Sequence, residues 1–87
     1  MNVQMFTVFD AAAKRFLEPF NAPTVEFALR QFRSSVESPD HLFSKYPEDY
    51  TLFHIGEFDQ ESGVIHSFDT PHNLGVGVTF KAGAEIG

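Results

Sequence analysis

Cysteine and tryptophan are absent from the 87 residues, and only six side chains are lysine or arginine. Without cysteine there is neither a disulfide framework nor a thiolate metal site, which fits a reducing cytoplasm. Twelve carboxylates against the six cations leave a net charge of −6. That balance argues against tight DNA binding, because neutralisation of phosphates by lysine and arginine supplies most non-specific affinity. No apolar run approaches the roughly 20 residues that a membrane span needs. The start, Met1-Asn2-Val3-Gln4-Met5, has no basic segment followed by a long apolar one, so the chain reads as soluble and unprocessed. Internal repeats, low-complexity tracts, a nucleophile elbow and a phosphate loop are also lacking.

What is present is a small, phenylalanine-rich core. Apolar residues make up 43% and aromatic residues 15%, including eleven phenylalanines, enough to place the chain among folded domains rather than disordered segments. At this length there is one domain, expected over residues 1–81, with a mobile tail at 82–87. So small a domain buries only about 60 to 65% of its unfolded surface, so association into a homo-oligomer is an expected source of stability. Charge is split along the chain. Residues 1–36 hold Lys14, Arg15, Arg30 and Arg33 against Asp10, Glu18 and Glu26 for a net +1, whereas residues 37–87 carry −7.

The β-branched and aromatic run Val3-Gln4-Met5-Phe6-Thr7-Val8-Phe9 predicts a first strand. A short edge strand is expected at Arg15 to Phe20, because Pro19 cannot donate to a central ladder. Thr24 caps a helix in which Val25, Ala28, Leu29, Phe32 and Val36 recur at helical spacing, and Ser38-Pro39 stops it. Leu42, Phe43 and Tyr46 suit one further helical turn. The strongest local signal is a hairpin: Pro47 to Asp59, the loop Gln60-Glu61-Ser62-Gly63, then Val64 to Phe68, with glycine at the loop position that favours positive φ. Asp69 to Asn73 predicts a turn, and Val76, Val78 and Phe80 a short last strand. The fold class is α+β, a small antiparallel sheet with one main amphipathic helix packed on one face.

Four histidines, His41, His54, His66 and His72, are the commonest metal-ligand type. Pairing Asp59 with Val64 sets His66 opposite Glu57 and His54 opposite Asp69, on opposite sides of the sheet. That disfavours a shared metal, and neither metal nor cofactor is expected. Glu57 and Asp59 beside a loop suit solvated carboxylates better than an acid-base pair. No enzymatic activity is expected. The sharper chemical lead is the interleaving of Lys14, Arg15, Phe16 and Phe20 with Arg30 and Arg33 of the helix, since single-strand binders stack bases on rings and hold phosphates with cations. Phenylalanine at such positions is more often core.

Phe6-Thr7-Val8-Phe9-Asp10, Phe16-Leu17-Glu18-Pro19-Phe20, Ala28-Leu29-Arg30-Gln31-Phe32, Tyr46 through Asp59 and Leu74-Gly75-Val76 together resemble the small non-structural protein family of gokushoviruses. Those are single-stranded DNA bacteriophages of the Microviridae. The resemblance runs from about residue 5 to residue 81, and its most specific piece is Pro47-Glu48-Asp49-Tyr50-Thr51-Leu52-Phe53 with the Gly56-Glu57-Phe58-Asp59 continuation. It implies a non-structural accessory role in the host bacterial cytoplasm, in DNA binding, single-stranded DNA replication or genome packaging. No catalytic residues come with it. The alternative is an acidic protein-interaction module that docks on a viral or host protein without DNA contact.

Overall fold

Residues with high strand propensity fill the first element, β1 (Asn2–Asp10). The structure, a computed structural model, describes residues 2–81; the expected tail at 82–87 lies outside the described residues. On one side β1 pairs antiparallel with β2 (Arg15–Phe16) and β3 (Phe20–Ala22). On its other side it pairs with β4 (Tyr50–Asp59), which carries β5 (Ile65–Val76) on its far edge. Strands take 45% of the described residues, so the α+β class holds while the sheet is larger than expected and dominates the fold.

The expected edge strand at 15–20 is divided in two. Leu17-Glu18-Pro19 leave the regular ladder, as proline without an N–H requires, yet the Leu17 N–H still donates to Val8 O at 2.8 Å and Thr7 Oγ1 to Leu17 O at 2.6 Å. The helix forms where the spacing predicts it. In α1 (Val25–Glu37), Thr24 Oγ1 accepts from the Phe27 N–H at 3.1 Å, which satisfies one of the free donors of the first turn. Ala28, Phe32 and Val36 face inward and close the core with Phe6, Val8, Ala22, Tyr50 and Leu52. The turn α2 (Leu42–Lys45) lays Phe43 against Phe32 and Tyr50, ring centroids 5.5 and 4.5 Å apart.

The hairpin loop is as expected. The Asp59 N–H donates to Val64 O at 2.9 Å, Gly63 has φ 77°, and the pairs Phe58 with Ile65 and Glu57 with His66 follow. Beyond Gly56 and Ser67 the simple count fails, because the next pair is His54 with His72. His54 therefore lies opposite His72 and not Asp69. The β1 ladder shifts at the same place, Met5 pairing Gly56 and Phe6 pairing His54, so Ile55 is an extra residue. This bulge reverses the alternation of side chains. His54 and Glu57 consequently share a face, and the expected separation of the His54 and His66 pairs onto opposite faces is overturned.

Two further expectations need correction. The turn cluster Asp69 to Asn73 lies inside β5: Asp69, Thr70 and Pro71 sit on the long side of that bulge, while His72 and Asn73 pair with His54 and Phe53. The last strand stops at Val76, and Gly77–Phe80 is a 3₁₀ turn. Gly77 permits the change: a Cβ there would sit 2.7 Å from the Pro47 carbonyl oxygen, so the chain passes this close only because it carries no side chain. Phe80 then meets Phe32 edge-on, centroids 5.3 Å apart.

Candidate nucleic-acid interface

Register and alternation assign the two faces of the sheet. Phe6, Val8 and Leu52 point toward α1, α2 and the 3₁₀ turn. The opposite face holds Val3, Met5, Thr7 and Phe9 from β1, Thr51, Phe53 and Phe58 from β4, Phe16 from β2 and Ile65 from β5. No helical element of the described residues packs on it. Sheets that face water normally alternate apolar-in with polar-out, but register places no charged side chain on this outer face, and alternation from Ser67 adds a single one, Asp69 on the edge strand.

At one corner of this face the rings converge. Phe16, 49% exposed, lies against Phe9 with centroids 4.8 Å apart and edge-on to Phe53 at 5.6 Å. Beside it, Thr7, Leu17, Pro19, Ile55 and Pro71 complete an open apolar hollow of about 250 Å³. The loop that delivers Phe16 is held by Asp10, whose Oδ1 accepts from the Ala12 and Ala13 N–H groups at 3.0 and 3.2 Å. Lys14 ends that loop with φ 58°, a left-handed conformation that costs a non-glycine residue roughly 1 kcal/mol.

The six residues singled out from the sequence fall into three places. Lys14, Arg15 and Phe16 are consecutive at the corner, although Arg15 pairs with Asp10 and so faces the helix side of the sheet edge. Arg30 and Arg33 border a second hollow with Leu29 and Phe80, the Arg33 guanidinium lying 5.8 Å from the Phe80 ring centroid. Phe20 stacks on Phe6 at 5.6 Å and packs against the core. Phe9, Phe53 and Ile55 were missed as site residues, although the strand alternation that pairs Phe9 with Phe16 was available in the sequence.

A separate ring cluster lies on the helix side around the bulge. His54 stacks on Phe6 at 4.8 Å, meets Phe68 edge-on at 4.7 Å, and has His72 5.9 Å away. Its Nε2 lies 2.9 Å from Gln4 Oε1. Burial, followed by the neighbouring His72, pushes the His54 imidazole below its ordinary value, while contact with the Gly56 backbone and Glu57 opposes the shift. Among the described residues no group of three or more histidine, aspartate or glutamate side chains is arranged to hold a metal.

The outer sheet face thus carries an open aromatic corner at Phe16, with Lys14 just before it in the chain. Residues 3–80 match the Phage ORF5 protein family, and the chain belongs to that family. It is 29% identical over 73 residues to Protein ORF5 of Chlamydia phage 1, a gokushovirus of the Microviridae, covering 79% of this chain and 76% of that protein. The resemblance drawn from the sequence is therefore borne out. No solved structure matches the chain. No helix of the described residues is long and apolar enough to cross a membrane.

Proposed function

We propose that this phage accessory protein binds single-stranded DNA at the Phe16 corner, in replication or packaging of the viral genome within the host bacterial cytoplasm. The observation that carries the proposal is a half-exposed Phe16 braced by Phe9 and Phe53 directly after Lys14 and Arg15. A base stacked on an aromatic ring contributes about 1 to 3 kcal/mol regardless of its identity. The strained backbone at Lys14 supports the same use, since strain persists where something other than stability maintains it. Binding is weak and mildly salt-dependent, because two cations serve it and the chain as a whole is acidic. Fluorescence anisotropy with a labelled oligonucleotide at two salt concentrations tests it; Phe16→Ala should lose most of the affinity while keeping the melting temperature.

The second reading, an acidic module that docks on a basic viral or host protein, is favoured by the −7 carried on residues 37–87. Wild-type protein with no affinity for single strands even at low salt would leave that reading in place.

A further inference from the structure

We propose that in the free protein a second copy of this chain covers the outer sheet face, the two faces packed against each other about a two-fold axis. Only the apolar outer face is needed for this, so it does not rest on DNA binding.

The face is unusual in what it lacks. Val3, Met5, Phe9, Phe53, Phe58, Ile65 and Phe16 share it with threonine and a few amides and hydroxyls, and its one carboxylate, Asp69, lies on the edge strand. An apolar patch beyond a few hundred Å² on a soluble protein marks an interaction surface. Charge on this face is confined to its margins, Lys14 at the Phe16 corner and Asp69 on the edge strand two residues beyond Ser67. Two identical copies, with most of their net −6 elsewhere, can meet on its centre without setting like charges directly opposite one another. The composition, rich in phenylalanine with Met and aliphatic residues, is that of a homodimer interface core.

The size agrees. Three strands of about nine residues at about 4.8 Å spacing and about 3.4 Å rise, with the short β2 and β3 beside them, give roughly 500 Å² in projection per copy. A standard stable interface buries about 800 Å² of accessible area per partner, and a surface studded with rings has more accessible area than its projection. Face-to-face sheets pack about 10 Å apart with strands inclined by about 30°, an arrangement that a two-fold axis permits without further rearrangement.

The salt response separates this contact from the other. Two copies of net charge −6 repel, so added salt screens the repulsion and tightens the dimer, whereas phosphate contacts weaken in salt. Phe16 belongs to both surfaces, so a bound single strand and the second copy compete.

The experiment is sedimentation velocity on the full chain from low to high micromolar concentration at two salt concentrations, repeated with Phe16→Glu and Ile65→Glu. These residues are 49% and 58% exposed, so neither substitution empties the core. Expected is a species of twice the 9.8 kDa chain mass, favoured by salt, with association weakened at least tenfold by either substitution at unchanged circular dichroism. A wild-type chain that stays monomeric throughout overturns the proposal, as does a dimer that both variants retain. A dimer in a protein without DNA affinity leaves this inference standing and removes the DNA site; DNA affinity in a strict monomer does the reverse.

Discussion

Lys14 and Gly63 occupy the same position in two four-residue loops of the same build. Each loop starts after an aspartate, Asp10 or Asp59, whose Oδ1 accepts from backbone N–H groups inside the loop, and each ends in a left-handed residue, φ 58° and 77°. One loop uses the residue that the conformation favours and the other does not. Gly63→Ala should destabilise the fold by about 1 kcal/mol, while Lys14→Gly should leave it equal or raise it by a few tenths, strain relief being partly offset by glycine's entropy. Urea melts of both variants check the opposite signs; equal losses would show that Lys14 is not strained.

Phe32 is 3% exposed and touches Phe43 from α2 and Phe80 from the 3₁₀ turn. Truncation to alanine removes the residue that joins the three helical elements and leaves a cavity, for an expected loss of about 3 to 5 kcal/mol. In a domain of this size such a loss approaches the whole stability. An unchanged thermal midpoint would mean that the helix does not close the core.

Acid should loosen the bulge before it affects the loops. The His54 pKa is lowered in the folded protein, chiefly by burial and then by His72. The unfolded chain therefore binds more protons just below the ordinary value of 6.5, and stability rises with pH there. His54's contribution is complete above that value and is lost as pH falls from it toward the folded value. Asp59, whose carboxyl is held down by the Glu61 N–H and Ser62, acts in the same direction at a lower pH. Urea midpoints measured from about pH 7.5 to about pH 5 should fall, and His54→Gln should flatten that fall. A variant with the wild-type slope removes His54 as the cause.

The separation of the cations gives the proposed DNA site a quantitative signature. Four converging cations would release enough counterions for a log–log salt slope of about −2 to −3, whereas Lys14 and Arg15 alone give about −1.4 on single strands. Reversal of Lys14 and Arg15 to glutamate should abolish binding, and the same reversal at Arg30 and Arg33, which border a different hollow with Phe80, should reduce it only slightly. Equal losses from the two reversals would place DNA across the helix.

Elements whose residues signal locally were legible: the Thr24 cap, the apolar stripe of α1 and the loop closed by Gly63 all act within a few residues. The hairpin register was legible as far as Glu57 and His66 and failed at Ile55, because a bulge is decided by how three strands fit together. Gly56 hinted at it, being the residue whose missing side chain lets the His66 and Ser67 backbone approach. Gly77 had looked like a weak strand residue, and its role became visible only beside Pro47. For the site, Phe16 was legible as an aromatic next to cations, but its bracing by Phe9 and Phe53 depends on β4 lying beside β1, a contact between segments more than 40 residues apart.

The central place of β1 has a consequence for synthesis. Its neighbour β4 ends at Asp59, so β1 emerges well before the strand that pairs its longer edge. Until then Val3 to Phe9, uncharged and of high strand propensity, has only the short β2 and β3 beside it, and one edge stays open. Ribosome pausing or truncation before β4 would therefore release a sticky fragment, and expression at low temperature or slow translation should yield aggregate in proportion to the time β1 spends alone.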